Sequence, residues 1–276
     1  RKAVLELAAK SDILLENFRP GTLEKWGLGP EVLNEAHPEL IITRVSAFGQ
    51  TGPLSERPGF AAVAEAYSGF RNLVGDPDRA PVRVGVSIGD SIAGLYAAFG
   101  SIMGLFQRDA RRRSSGSAVA LPERIIDVAL NEAMFSMMES LVPDYEAYGV
   151  RRERTGGRME GIAPSNAYVC ADGASIVVAG NGDGIFLRYM ETIGRPDLGS
   201  DPGLQSNALR WARRDIKSVA LLAQVLAKQA AKAAKKPAEP KKKKSAKRKR
   251  RLGQETVLPK ADAKRAKKLL GAGSKG

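Results

Sequence analysis

Asp90 stands in the run Val84-Gly85-Val86-Ser87-Ile88-Gly89-Asp90-Ser91-Ile92-Ala93-Gly94. Downstream, Ile92, Leu95, Tyr96, Phe99, Met103 and Phe106 recur at helical spacing. That pattern predicts a buried helix that begins almost at the aspartate and runs to Arg108. A carboxylate there faces the positive end of the helix dipole and the unpaired N–H groups of the first turn. Such surroundings favour the ionised form, and an ionised carboxylate can attack a thioester as a nucleophile. The position also suits a plain N-cap, since Asp is among the commonest residues there. A second group with chemical potential is Asn17, Phe18 and Arg19, within DILLENFRPGTLEKWGL at residues 12–28. Asp12–Leu15 is a short apolar run that reads as a strand, and Pro20-Gly21 turns the chain out of it. The loop between them lies at a strand end, where α/β sheets bind nucleotides.

The elements that must hold these groups alternate. A helix is expected at about 2–10, a strand at 12–15, a helix at about 30–36, a strand at 40–47 and a helix at 59–69. The long helix from Asp90 follows, then a strand at Ile125–Leu130 and an apolar helix, Asn131–Val142, which Pro143 should end. This rhythm indicates an α/β fold with a mainly parallel, Rossmann-like sheet over residues 1–148. The charged stretch 149–158 reads as a linker. Residues 159–215 begin a smaller α+β unit, with a hairpin of Ala167–Cys170 and Ser175–Ala179 around Ala171-Asp172-Gly173. A helix over Gly184–Thr192 follows it.

The 276 residues carry a net charge of +14, which invites a nucleic-acid reading. Its distribution argues against one for the folded part. Residues 221–276 hold 19 Lys and Arg against 3 Asp and Glu, a net +16, so residues 1–220 stand at −2. The tail, 216–276, could be helical around Val219–Ala234 and should be disordered beyond Pro237, having too few large apolar residues to offset its ordering entropy. A run such as Lys241–Arg251 would bind nucleic acid or another anionic surface without specificity, and such runs also serve as nuclear localisation signals. No aromatic residue interleaves the charges to stack on bases. Trimming residues 235–276 should therefore leave the thermal transition of the remainder within a few degrees. It should also abolish retention on nucleic acid, which itself should weaken steeply with salt. Unfolding of the trimmed protein would refute this reading.

The lone Cys170 excludes an internal disulfide and suits a reducing compartment, expected to be cytoplasmic with a mitochondrial or nuclear one left open. Its strand-like surroundings predict a core residue. No apolar run looks long enough to span a membrane, and no signal peptide is visible. His37, the single histidine, precedes a strand and reads as a surface turn residue, with no zinc or Ser–His constellation around it.

Taken in order, ENFRPG, ELIITRVSAFGQTGP, PGFAAVAEAYSGF, PVRVG and GDSIAGLY resemble the family III CoA-transferases, the family of formyl-CoA transferase and carnitine CoA-transferase. The likeness covers roughly residues 1–215. It implies that Asp90 is the catalytic nucleophile, forming an aspartyl mixed anhydride and then an aspartyl–CoA thioester. It implies that Asn17, Phe18 and Arg19 contact CoA and that Lys25 reaches the cofactor phosphates, although a solvated lysine explains Lys25 equally. Gly49 and Gly52 fit backbone turns better than ligands. CoA and acyl-CoA are then substrates, with no metal or redox cofactor needed. The family also implies an interlocked homodimer and small mono- or dicarboxylates as acyl groups. Arg83 and Arg158 are candidates to grip a second carboxylate, or are surface residues.

The sequence departs from the family in several places. It opens inside the pattern, without the opening strand–loop–helix, and the pattern stops at about Arg214. SSGSAVALPERI at 114–125 resembles an insertion, and Arg158–Pro164 does not reproduce the glycine-rich loop of formyl-CoA transferase. These departures keep open a catalytically inactive remnant that binds nucleic acid through its tail. The related α-methylacyl-CoA racemases carry a Gly-His-Asp motif where this chain has Gly59-Phe60-Ala61, and Phe60 cannot take a proton.

Overall fold

The computed structural model describes residues 1–169 and 173–214. The elements run α1 (Lys2–Ala8), β1 (Ile13–Glu16), α2 (Thr22–Lys25), α3 (Pro30–Ala36), β2 (Ile41–Ser46), α4 (Ala61–Tyr67) and α5 (Ile88–Ser115). After them come β3 (Ile125–Ala129), α6 (Leu130–Phe135), α7 (Leu141–Tyr148), β4 (Ser165–Val169), β5 (Ser175–Ala179), α8 (Asp183–Thr192), α9 (Pro196–Gly199) and α10 (Asn207–Ala212). Strands β1, β2 and β3 form a parallel sheet in that order, with Ile13 opposite Ile41 and Ile42 opposite Ile125. The run ELIITRVS is therefore the central strand. Its residues Ile41, Ile42 and Thr43 are fully buried, as expected of a parallel strand covered on both faces. On one face Ala8, Leu33, Leu40 and Ile42 form a core with Leu5, Leu14 and Leu121. On the other, Ala61, Ala64, Ala93, Ala97, Val128, Leu130 and Ala133 pack together.

Helix α5 differs from its expected form in two ways. It begins at Ile88 with Ser87 at the N-cap, so Asp90 lies inside the first turn and is not the cap residue. The large apolar residues are not its buried face either: Leu95, Phe99 and Phe106 are 71%, 64% and 71% exposed. The sheet instead meets a stripe of small residues, Gly89, Ala93, Ala97, Ser101 and Gly104. A Cβ at Gly100 would come within 2.6 Å of Ile126 Cγ2, and one at Gly104 within 3.1 Å of Ile41 Cγ2. Small side chains let the helix lie this close to the sheet, and a 2.6 Å hydrogen bond joins Ser101 Oγ to Thr43 Oγ1 across the contact. By length and composition alone, α5 also meets the requirement for crossing a membrane, contrary to the expectation that no run would. Its small-residue face packs on β2, β3, α4 and α6, while its large apolar residues are exposed on the opposite side.

Pro143 does not end a helix. The apolar stretch splits into α6 and α7, and Pro143 lies in the first turn of α7, where its missing N–H would have no partner anyway. Residues 149–158 are not a free linker. Arg154 donates to the Asn72 carbonyl at 2.8 Å, the Gly156 amide donates to the Gly75 carbonyl at 3.1 Å, and Arg152 pairs with Glu139 and Asp144. The stretch at 114–125 is likewise built in: Val119 and Arg124 are buried, and Arg124 donates to the carbonyls of Val119 and Leu40.

The second unit contains the expected hairpin, with β4 and β5 antiparallel from Ser165 opposite Ala179 to Val169 opposite Ser175. Phe186, Met190, Ile193, Leu198 and Leu204 form its core. Arg210, 1% exposed, crosses over Phe186 and pairs with Asp183 at 2.7 Å. The expected core placement of Cys170, the hairpin tip Ala171-Asp172, and the tail with its predicted helix at Val219–Ala234 lie outside the described residues.

Candidate functional site

The carboxyl ends of parallel strands are where α/β sheets leave room for ligands. Here the cavity at that edge has a volume of about 320 Å³. It is lined by the loop after β1 (Asn17, Phe18, Arg19, Pro20), the end of β2 (Val45, Ser46, Ala47), the approach to α4 (Arg57, Pro58, Gly59, Phe60), and Asp90, Ala93, Gly94 and Ala97 of α5. Asp90 and the Asn17–Arg19 loop, singled out from separate stretches of sequence, thus share one wall. Asp90 is exposed and, among the described residues, its carboxylate has no hydrogen-bond or ion-pair partner. It therefore has lone pairs available to a ligand, in a first turn whose dipole favours negative charge.

A buried ionic network sets the loop. Arg44 on β2, 5% exposed, donates from Nε to Glu16 at 2.7 Å and from Nη1 and Nη2 to Glu24 at 2.7 and 3.2 Å. The other oxygen of Glu16 accepts the Phe18 amide at 2.7 Å, fixing the start of the loop. Burial on its own would raise the Glu24 carboxyl, but the Arg44 hydrogen bonds, a backbone amide and the Arg44 charge outweigh it and hold it below the usual range. The Phe18 ring then stands edge-on to Trp26, with centroids 5.0 Å apart. Gly21, at φ 79°, takes the left-handed conformation that lets the chain turn into α2.

The far side depends on the segment FGQTGPLSERPGF. Gly49 and Gly52 have φ of 83° and 92°, in keeping with turn residues. Gly59 is there for close approach: a Cβ would fall 2.7 Å from that of Ala47. Arg57 donates to the Tyr67 hydroxyl at 3.0 Å, and Tyr67 packs edge-on against Phe48. Phe60 is 70% exposed in the cavity wall, so no acid–base group occupies that position.

Other candidates lie elsewhere. Lys25, exposed at the end of α2, is not part of the cavity wall. Arg83 hydrogen-bonds Ser87 Oγ at 3.2 Å outside it, and Arg158 lies in the second unit with its guanidinium 5.5 Å from the Trp211 ring centroid. The cations at the cavity are Arg19 and Arg57, both exposed at its rim. Neither Arg57 nor Ser46 stood out in the sequence. The available signal was position, since Arg57 follows FGQTGP within one turn-rich loop and Ser46 closes a strand.

The sequence model of CoA-transferase family III matches residues 1–244, past Arg214 and into the first part of the basic tail. The succinyl-CoA–D-citramalate CoA-transferase of Chloroflexus aurantiacus is 44% identical over 207 residues, 75% of this chain and 49% of that protein. Human succinyl-CoA:glutarate CoA-transferase is 34% identical over 214 residues, 77% of this chain and 46% of that one. Among solved structures, a CaiB/BaiF family protein from Brucella suis superposes with a TM-score of 0.68 at 30% identity, covering 85% of this chain and 60% of its own. The chain thus spans about half the length of the curated relatives it matches.

Proposed function

Since this chain belongs to CoA-transferase family III, we propose that it acts in CoA transfer between small carboxylic acids, with Asp90 as the nucleophile. The observation that carries the reading is the Asp90 carboxylate, unpartnered among the described residues, sharing one cavity with the Asn17–Arg19 loop. In the proposed sequence an Asp90 oxygen attacks the acyl-CoA thioester carbon, forming a mixed anhydride and releasing CoA as thiolate. The thiolate attacks the Asp90 carbonyl carbon of that anhydride, giving an aspartyl–CoA thioester and the first free acid as its carboxylate. The acceptor carboxylate then attacks this thioester, expelling the thiolate, which takes the acceptor's acyl group from the second anhydride and regenerates Asp90. Each step exchanges one acyl bond for another, with no net proton transfer, as expected of covalent catalysis.

Several relatives are named for succinyl-CoA as donor, which supports a dicarboxylate among the substrates here. Arg19 and Arg57, at the cavity rim, are placed to receive anionic groups, either ligand phosphates or a distal carboxylate. The exposed apolar face of α5, with Leu95, Phe99, Ile102, Met103 and Phe106, supports a homodimer in which that face is covered. Sedimentation that finds only monomers of the family-length protein would remove the dimer from this reading. The functional test is exchange: succinyl-CoA incubated with isotopically labelled succinate should yield labelled succinyl-CoA. Thioester hydrolysis without exchange, or no reaction in a family-length protein, would contradict CoA transfer.

A further inference from the structure

Among the described residues two cations line the cavity, Arg19 and Arg57, and they are held differently. Arg57 is exposed and donates from Nη1 to the Tyr67 hydroxyl at 3.0 Å. The Tyr67 ring is itself set edge-on against Phe48, with centroids 5.0 Å apart. Among the described residues no carboxylate pairs with Arg57, and its Nε–Nη2 edge has no acceptor. That edge is one that can take both oxygens of a carboxylate in a fork. Arg19, also exposed, has no side-chain hydrogen bond among the described residues to hold it.

The path of the chain separates the two further. The segment that carries Arg57 runs on through Pro58, Gly59 and Phe60 in the cavity wall and enters α4 at Ala61. There it meets the turn that carries Asp90, since a Cβ added at Gly89 would stand 3.2 Å from that of Ala61. A short stretch of chain and one close contact therefore link Arg57 to Asp90. The wall residues between them carry no charge, which suits a few methylenes. A short diacid joined to CoA at one end has that pattern: a thioester carbonyl, a methylene spacer and a free carboxylate.

We infer that Arg57 reads the distal carboxylate of a dicarboxylic acyl group whose thioester carbonyl lies at Asp90. This inference rests on the CoA-transfer reading given above, and it commits Arg57 to the acyl group and leaves Arg19 to the phosphates. Tyr67 is a positioning residue, whose hydroxyl occupies Nη1 and limits the swing of the guanidinium.

The test compares CoA, butyryl-CoA and succinyl-CoA by calorimetry on the full 276-residue chain. The parent chain carries Asp90→Asn, so that no acyl transfer consumes the thioesters. Butyryl-CoA matches succinyl-CoA in acyl length and has a methyl group in place of the carboxylate. Succinyl-CoA should bind about 5–10-fold tighter, just below the range of hydrogen bonds to a charged group because the arginine is exposed. Arg57→Gln should erase that preference and leave CoA and butyryl-CoA unchanged, with the thermal midpoint level. Tyr67→Phe should reduce the preference in part, whereas Arg19→Gln should weaken all three ligands together. No succinyl preference in a parent chain that still binds CoA overturns this inference alone. So does a parallel loss of all three ligands in Arg57→Gln, or a preference that disappears with Arg19 instead. A preference intact in Tyr67→Phe overturns the positioning role of Tyr67. A parent chain that fails to bind CoA overturns the CoA reading and this inference with it.

Discussion

In a family-length protein carrying this sequence, Asp90→Asn and Asp90→Ala should each lower CoA transfer by at least about 10⁴-fold, the scale seen when a covalent nucleophile is removed. CoA affinity should change little, because the proposed reading assigns the covalent intermediate to the carboxylate and the hold on the ligand to the Asn17–Arg19 loop and neighbouring wall. Stability should hardly move in either variant. Asp90 is inside the first turn of α5 with no side-chain partner among the described residues, so only its favourable interaction with the helix dipole is lost, about 0.3–1 kcal/mol. A capping role predicts a different pattern, in which Asn rescues what Ala loses and activity follows stability. Comparing kcat, CoA affinity and thermal midpoint across the three proteins separates the two. Substantial transfer by the Asn variant, with its amide intact, would exclude the nucleophile assignment.

Arg44→Met should be the most destabilising single change around the site. It removes the guanidinium from Glu16, which is 4% exposed and would then be a buried charge with no counter-ion. Breaking such a pair from one side costs about 3–5 kcal/mol. The double variant Glu16→Gln/Arg44→Met should recover part of that loss, since the uncompensated charge is gone. Denaturant unfolding of wild type, single and double variants tests this, and a double variant no better than the single would contradict it. The network also has a pH signature. Arg44 holds Glu24 below its usual range, so its contribution is fully present above the ordinary glutamate pKa and is lost as the pH falls through the lowered one. In Arg44→Met that portion of the acid dependence should vanish. Because Glu16 also anchors the Phe18 amide, the single variant should loosen the Asn17–Arg19 loop and, on the proposed reading, weaken CoA binding.

The parallel sheet was legible because its strands are short apolar runs rich in Ile, Leu and Val, bounded by turn residues, as in ELIITRVS. Helix α5 was legible as a helix and misread in orientation. Periodicity identifies a face but not which neighbour it meets, and two faces of α5 are periodic at once. The stripe of Gly89, Ala93, Ala97, Ser101 and Gly104 is as regular as that of Leu95, Phe99 and Phe106. Close packing against Ile126 and Ile41 selects the small one. Pro143 misled for a related reason, since proline breaks a helix interior and is welcome in a first turn. Asp90 and Asn17–Arg19 could be singled out as candidates because each stretch carries its own local signature, and the structure brings both to one cavity. Ser46 and Arg57 could not, because their place in the cavity depends on the loop after β2 folding back to bring Gly59 against Ala47.

The central claim is that a covalent bond forms on Asp90. Active family-length protein should be incubated with succinyl-CoA, quenched with hydroxylamine, digested and mapped by mass spectrometry. The account predicts a hydroxamate on Asp90, formed only when acyl-CoA is present and at no other carboxylate. An enzyme that transfers CoA while Asp90 remains unmodified, or that carries the adduct on another residue, would contradict it.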